Sequence, residues 1–167
     1  MSKSSISFTA ADSSREFRNA LGCYATGIAV VTLRTPAGEL LGLTVNSFNS
    51  VSLAPPLVVW SLSGASSSRA AFEASEYYAI NVLAAGQQEL SQRFARRGEE
   101  RFGGLALDEG LGGVPLLPGC CARFECRNAT RHAGGDHVVF IGEVERFDYR
   151  AEEPLIYFGG AYRRLAA

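Results

Sequence analysis

The stretch Leu41 to Arg69, LGLTVNSFNSVSLAPPLVVWSLSGASSSR, concentrates the residue types that hold a ligand. Two apolar β-type runs, LLGLTV and PLVVWSL, end in small hydroxyl and amide residues instead of the charges that commonly finish a surface strand. They are Thr44, Asn46, Ser47, Asn49, Ser50 and Ser52 after the first, and Ser61, Ser63, Ser66, Ser67 and Ser68 after the second. Such side chains donate and accept hydrogen bonds without carrying charge, a mixture suited to a polar, planar, uncharged ligand with an anionic tail. Ser66-Ser67-Ser68-Arg69 leads into AAFEASE, a run of helix formers, so hydroxyls, helix-start N–H groups and a guanidinium would meet as a phosphate site requires. The same pattern also suits a plain cap at Ser67 or Ser68, and NSFNSVS also suits a polar turn.

His137 is the other candidate for chemistry. It follows Gly134-Gly135-Asp136, a tight turn that would expose an imidazole at the rim of a barrel, although a polar surface role fits it too. Other motifs fail. Gly110-Leu111-Gly112 begins like a dinucleotide fingerprint, but Pro115 stands where the third glycine belongs. There is no phosphate-binding loop of the nucleoside-triphosphatase type and no G-x-S-x-G elbow. Cys120, Cys121, Cys126, His132 and His137 lack the C-x-x-C spacing, and strand alternation makes Cys120 and Cys126 small hydrophobes, so no metal is expected.

These residues need elements to position them. A chain of 167 residues is one domain by length, with 47% hydrophobic residues and a formal charge of -1. That balance argues against nucleic-acid binding through phosphate contacts. Arg93, Arg96, Arg97 and Arg101, interleaved with Glu99 and Glu100, read as a solvated helix face. MSKSSISFTAADSS has no apolar leader core, and no apolar run approaches the roughly 20 residues of a membrane span, so a soluble, cytoplasmic protein with reduced cysteines and no membrane partner is expected. Residues 1–14 read as an N-terminal extension and 15–167 as the domain.

In chain order, Asp12, Ser13 and Ser14 offer caps for a first helix with Phe17, Leu21 and Tyr24 on one face. IAVVTLRT reads as a buried strand, joined through Pro36-Ala37-Gly38-Glu39 to LLGLTVNS. PLVVWSL, a short helix near 68–75, the strand YYAINVLA and a helix over GQQELSQRFARR follow. Residues 103–119 are Gly/Pro-rich and aperiodic, which predicts a long surface loop acting as a lid or partner contact. CCARFECRNATRH and HVVFIGEVERFDY form a long hairpin, and PLIYFGGAYRRL closes the sheet. With about seven strands joined mainly by turns, the expectation is a mainly β fold, a small antiparallel β-barrel with flanking short helices.

Several segments together carry a family resemblance: FRNALGCYATGIAVVT, LGLTVNSFNSVSLAPPLVVWSL, SSSR, YYAINVL, RF followed by ERF, the G-D-H turn ending at His137, and the closing Tyr-x-x-Gly-x-Tyr. From about Phe17 to Leu165 the chain resembles the flavin reductase-like family, the short-chain split-barrel FMN-binding type that supplies reduced flavin to two-component monooxygenases. The resemblance implies hydride transfer from NADH or NADPH to FMN or FAD, and release of the reduced flavin to a partner monooxygenase. It implies that Thr44, Val45, Asn46, Ser47 and Phe48 lie against the flavin ring, that Ser61, Ser66, Ser68 and Arg69 take the phosphate, and that Asn81 passes close to the flavin. His137 would sit near the nicotinamide as the catalytic residue, in a homodimer with flavin near the subunit interface. Family members often carry a charged residue where this chain has Gly64-Ala65. Two other readings stay open, a split-barrel oxidoreductase with tightly held FMN and a non-catalytic flavin-binding module.

Overall fold

The computed structural model describes residue 9 and residues 14–96, 98 and 100–165. Asp12, Ser13, Arg97 and Glu99, singled out above, lie outside the described residues. A first helix α1 (Ser14–Leu21) leads to β1 (Thr26–Gly27), β2 (Ala29–Arg34) and β3 (Leu40–Val45). Then come β4 (Asn49–Leu53), β5 (Pro56–Ser63), α2 (Arg69–Ala74), β6 (Tyr77–Val82) and α3 (Gln88–Ala95). Short β7 (Asp108–Glu109) and β8 (Pro115–Leu116) precede the long pair β9 (Ala122–Gly134) and β10 (His137–Tyr149), and β11 (Ile156–Phe158) and β12 (Ala161–Arg163) finish the chain.

All strand pairings are antiparallel. The main sheet has seven strands in the order β3-β2-β6-β9-β10-β5-β4, and β1, β11 and β12 form a second, three-stranded sheet. β3 and β4 are the two edges of the main sheet and do not pair with each other, so the barrel is split there. The link across the split is a side chain: the Ser47 hydroxyl accepts the Ser61 N–H at 2.9 Å and donates to the Ser61 carbonyl at 3.2 Å.

Alternation along β5 explains how one strand serves core and surface. Val58, Trp60 and Leu62 point inward and are buried, whereas Ser61 and Ser63 fall on the other face. Trp60 is fully enclosed, stacked on Phe140 at 4.6 Å with edge contacts to Phe72 at 5.1 Å and Tyr78 at 5.6 Å. β2 is buried on both faces. Val31 and Leu33 join the Trp60 cluster, while Ile28 and Val30 pack with Leu83, Phe94, Leu117 and Leu155 in a second one.

Residues 103–119 do not form the expected surface lid. Val114, Leu116 and Leu117 are buried, the Thr32 hydroxyl donates to the Pro115 carbonyl at 2.6 Å, and the segment seals the outer face of β2 and β6. All four cysteines are unpaired. Burial pushes the Cys120 and Cys126 thiols up to about 12, which keeps them protonated and inert. No helix among the described residues is long and apolar enough to cross a membrane. Among those residues no group of three or more His, Cys, Asp or Glu is placed to hold a metal ion.

Candidate active site

A cavity of about 420 Å³ opens at the split. Its wall is built from Thr44, Val45, Asn46 and Ser47 at the end of β3, Ser61 and Ser63 at the end of β5, the turn Ser66 to Ser68, and the end of α3 with Phe94 and Ala95. Arg101 and His137 complete it. Thus Thr44, Val45, Asn46, Ser47, Ser61, Ser66, Ser68 and His137, far apart in sequence, share one cavity.

The individual geometries sort these side chains. The Thr44 hydroxyl donates to the Ser91 carbonyl at 2.6 Å and so ties β3 to α3, just as Ser47 ties it to β5. Ser68 is the N-cap of α2, yet its side chain makes no cap hydrogen bond, so its hydroxyl stays available at the cavity wall. Ser66 accepts the Ser68 N–H at 3.3 Å and shapes the turn. β10 begins at His137, which pairs with Ser63 across the sheet, and Gly135, at φ +68, makes the sharp turn that brings the imidazole to the rim. His137 Nδ1 lies 2.7 Å from Asp136 Oδ1, and this hydrogen bond holds the Asp136 carboxyl below its ordinary value. The contact fixes the ring orientation and leaves Nε2 for a ligand.

Three of the expected residues lie outside the wall of this cavity. Asn81 is fully buried: its amide donates to the Val30 carbonyl at 3.0 Å and to Thr32 Oγ1 at 3.1 Å, and its oxygen accepts the Leu117 N–H at 2.9 Å. Every polar atom of that side chain is engaged within the core, so it cannot reach the cavity. Phe48 packs on Phe124 at 5.5 Å beside the main core, outside the cavity wall. Arg69 turns along α2 to pair with Glu73 at 2.8 Å and lines a separate depression with Gly64, Asp136 and His137.

Arg101 takes the position at the wall that Arg69 does not. The solvated helix face expected for these arginines stops short, because α3 ends at Ala95. From its last turn Arg93 donates to the carbonyls of Glu100 at 3.0 Å and Gly103 at 2.6 Å, and beyond the helix Arg101 donates to the Gly42 carbonyl at 2.5 Å and to that of Arg96. Gly42 permits this arrangement, since a Cβ there would stand 2.6 Å from Phe94 and 3.0 Å from Phe102.

A second cavity of about 760 Å³ adjoins the first. Arg18, Asn19, Leu21, Gly22 and Tyr24 line it from the α1 side, and Thr26, Tyr157, Gly159 and Gly160 from the small sheet. Asn46 and His137 belong to both cavities, so two ligands bound in them would meet at these side chains.

The sequence profile of the flavin reductase like domain matches residues 21–166. The chain belongs to the flavin reductase-like family. A relative in that family, the FMN reductase (NADH) SmoA of Agrobacterium fabrum, is 50% identical over 155 residues, covering 93% of this chain and 88% of that one. The NADH:FAD oxidoreductase SgcE6 of Streptomyces globisporus C-1027, solved in complex with NAD and FAD fragments, superposes with a TM-score of 0.91 at 34% identity over 97% of this chain and 98% of the other. The reductase component of the flavin-dependent trigonelline monooxygenase of Acinetobacter baylyi is 40% identical over 148 residues, 89% of this chain. The chain spans about half the length of that last relative, 48%. The antiparallel barrel described above is the split barrel of these flavin reductases.

Proposed function

We propose that this chain is an NAD(P)H:flavin oxidoreductase that reduces FMN or FAD and delivers it to a flavin-dependent monooxygenase. The observation that carries the reading is the pair of cavities meeting at Asn46 and His137. The first cavity fits a flavin chemically, with uncharged hydroxyl and amide groups of Thr44, Asn46, Ser47 and Ser61 along its wall, and the free Ser68 hydroxyl and a guanidinium at its Ser-rich end. The second is large enough for part of a dinucleotide and is lined by Tyr24 and Tyr157, whose rings suit planar ligands.

Bound flavin and the reduced nicotinamide supply the hydride chemistry between them. The chain's own residues bind, orient and shield. Asn46 carries an amide to the boundary, where it can hydrogen-bond either ligand. Val45 and Phe94 present apolar surface to a ring and exclude water. His137, held by Asp136, offers Nε2 to the donor. A family relationship to monooxygenase reductase components supports the partner assignment, and a cytoplasmic location is proposed with it.

Steady-state NADH oxidation with added FMN tests the function: the rate should saturate in free flavin. Activity without added flavin would instead indicate a tightly held prosthetic group, and no turnover would leave only a binding module. Within that assay His137→Ala should raise the NADH Michaelis constant or slow flavin reduction by about tenfold or more. Flavin affinity measured by fluorescence should stay within about a factor of two, under 0.5 kcal/mol. Unchanged reduction kinetics over a range of NADH concentrations would remove His137 from the donor site.

We further propose a homodimer. The edge strand β4 exposes Val51 and Leu53, the latter 94% accessible, and the end of β10 exposes Phe147 and Tyr149. An unpaired apolar edge of this kind calls for a partner, and a second copy of the chain is always present to supply one. Light scattering at micromolar concentration should return twice the chain mass, and Leu53→Glu should shift the mass towards the monomer. A monomer mass for the unaltered protein would refute the assignment.

A further inference from the structure

Arg101 stands where the first cavity continues into another. It lines the 420 Å³ cavity together with Ser66, Ser67 and Ser68. It also lines an adjoining space of about 360 Å³ with Ser67, Ser68, Glu39, Gly98 and Glu100. Its guanidinium is placed by main-chain carbonyls, those of Gly42 and Arg96, which take two of its five N–H groups. Among the described residues no carboxylate forms an ion pair with it, in contrast to Arg69, which is committed to Glu73. A half-buried cation with free donors, beside a Ser68 hydroxyl that caps nothing, is a built anion site.

Beyond Arg101 the charge reverses. The carboxylates of Glu39 and Glu100 line the adjoining space, so a second phosphate carried past the guanidinium would enter their field. We propose that Arg101 takes the terminal phosphate of flavin mononucleotide, and that Glu39 and Glu100 disfavour extension to the dinucleotide. The proposal rests on the flavin reading of the first cavity and assigns that reading its cation and its selectivity.

Fluorescence titrations with riboflavin, FMN and FAD test it without turnover. The unaltered protein should bind FMN about fivefold or more tighter than FAD, the scale of exposed like-charge repulsion at short range. Arg101→Ala should weaken FMN about 10- to 100-fold, as expected for a charged hydrogen bond, and leave riboflavin within about twofold. Arg101→Lys should recover part of the loss, and Arg69→Ala should leave FMN within about twofold. The double variant Glu39→Gln/Glu100→Gln should narrow the gap between FMN and FAD. Equal losses of riboflavin and FMN in Arg101→Ala would show that the residue only shapes the loop and would overturn the assignment, as would FAD binding as tightly as FMN. Failure of the unaltered protein to bind any flavin would instead sink the functional reading itself.

Discussion

Replacing Trp60 with alanine should lower unfolding stability by about 3–5 kcal/mol, the range for deleting a buried aromatic side chain. For a domain of this length that corresponds to a melting point about 6–20 °C lower. The indole is fully enclosed among Phe72, Tyr78 and Phe140, and its stack on Phe140 joins β5 to β10 inside the barrel. The packed rings supply most of its contribution. Trp60→Phe, which keeps a ring on Phe140, should therefore lose only about 1–2 kcal/mol. Because Ser61 lies on the other face of the same strand, flavin affinity of the folded Phe variant should be unchanged. Thermal unfolding with the Ala variant melting within 3 °C of the unaltered protein, by the same conversion only about 1 kcal/mol, would contradict this account of the core.

Asn81→Leu should cost about 3–5 kcal/mol, since it keeps the volume but strips partners from the Leu117 N–H, the Thr32 hydroxyl and a lone pair of the Val30 carbonyl, each worth about 1–3 kcal/mol when left buried and unpaired. The loss should appear in denaturant unfolding. Below the unfolding transition, FMN affinity should remain within about a factor of two, because the side chain lies wholly within the core. A loss of flavin affinity in protein that is still folded would return Asn81 to the cofactor site.

Asn81 also shows where local reading ends. In YYAINVLA the strand was legible from its β-branched and aromatic residues, and Tyr77–Val82 forms it. An amide amid apolar neighbours signalled something unusual, but its partners sit 36, 49 and 51 residues away and nothing local names them. The 103–119 segment misled for the same reason: it has no period, and its burial depends on Thr32 and Asn81. Arg69 turns away from the cavity for a local reason, because Glu73 at i+4 is an ordinary helix partner. Arg101 was hidden by alternating charges that mimic a solvated helix, whereas α3 stops at Ala95 and the guanidinium reaches a carbonyl 59 residues back. The hydroxyl clusters after β3 and β5 were legible, since strand alternation and turns alone carry them to the split.

The bare backbone at Gly42 decides more than local fit. Phe94 and Phe102 rest where a side chain would stand, and Arg101 is anchored to the same residue's carbonyl. One methyl group there would have to displace the Phe94 ring and press on that of Phe102, and Phe94 and Arg101 each form part of the cavity wall. The aperture of the site is thereby governed from the adjoining space, whose wall Gly42 itself helps to form. A substitution at this one residue would reshape the site while the side chains that face a ligand keep their identities.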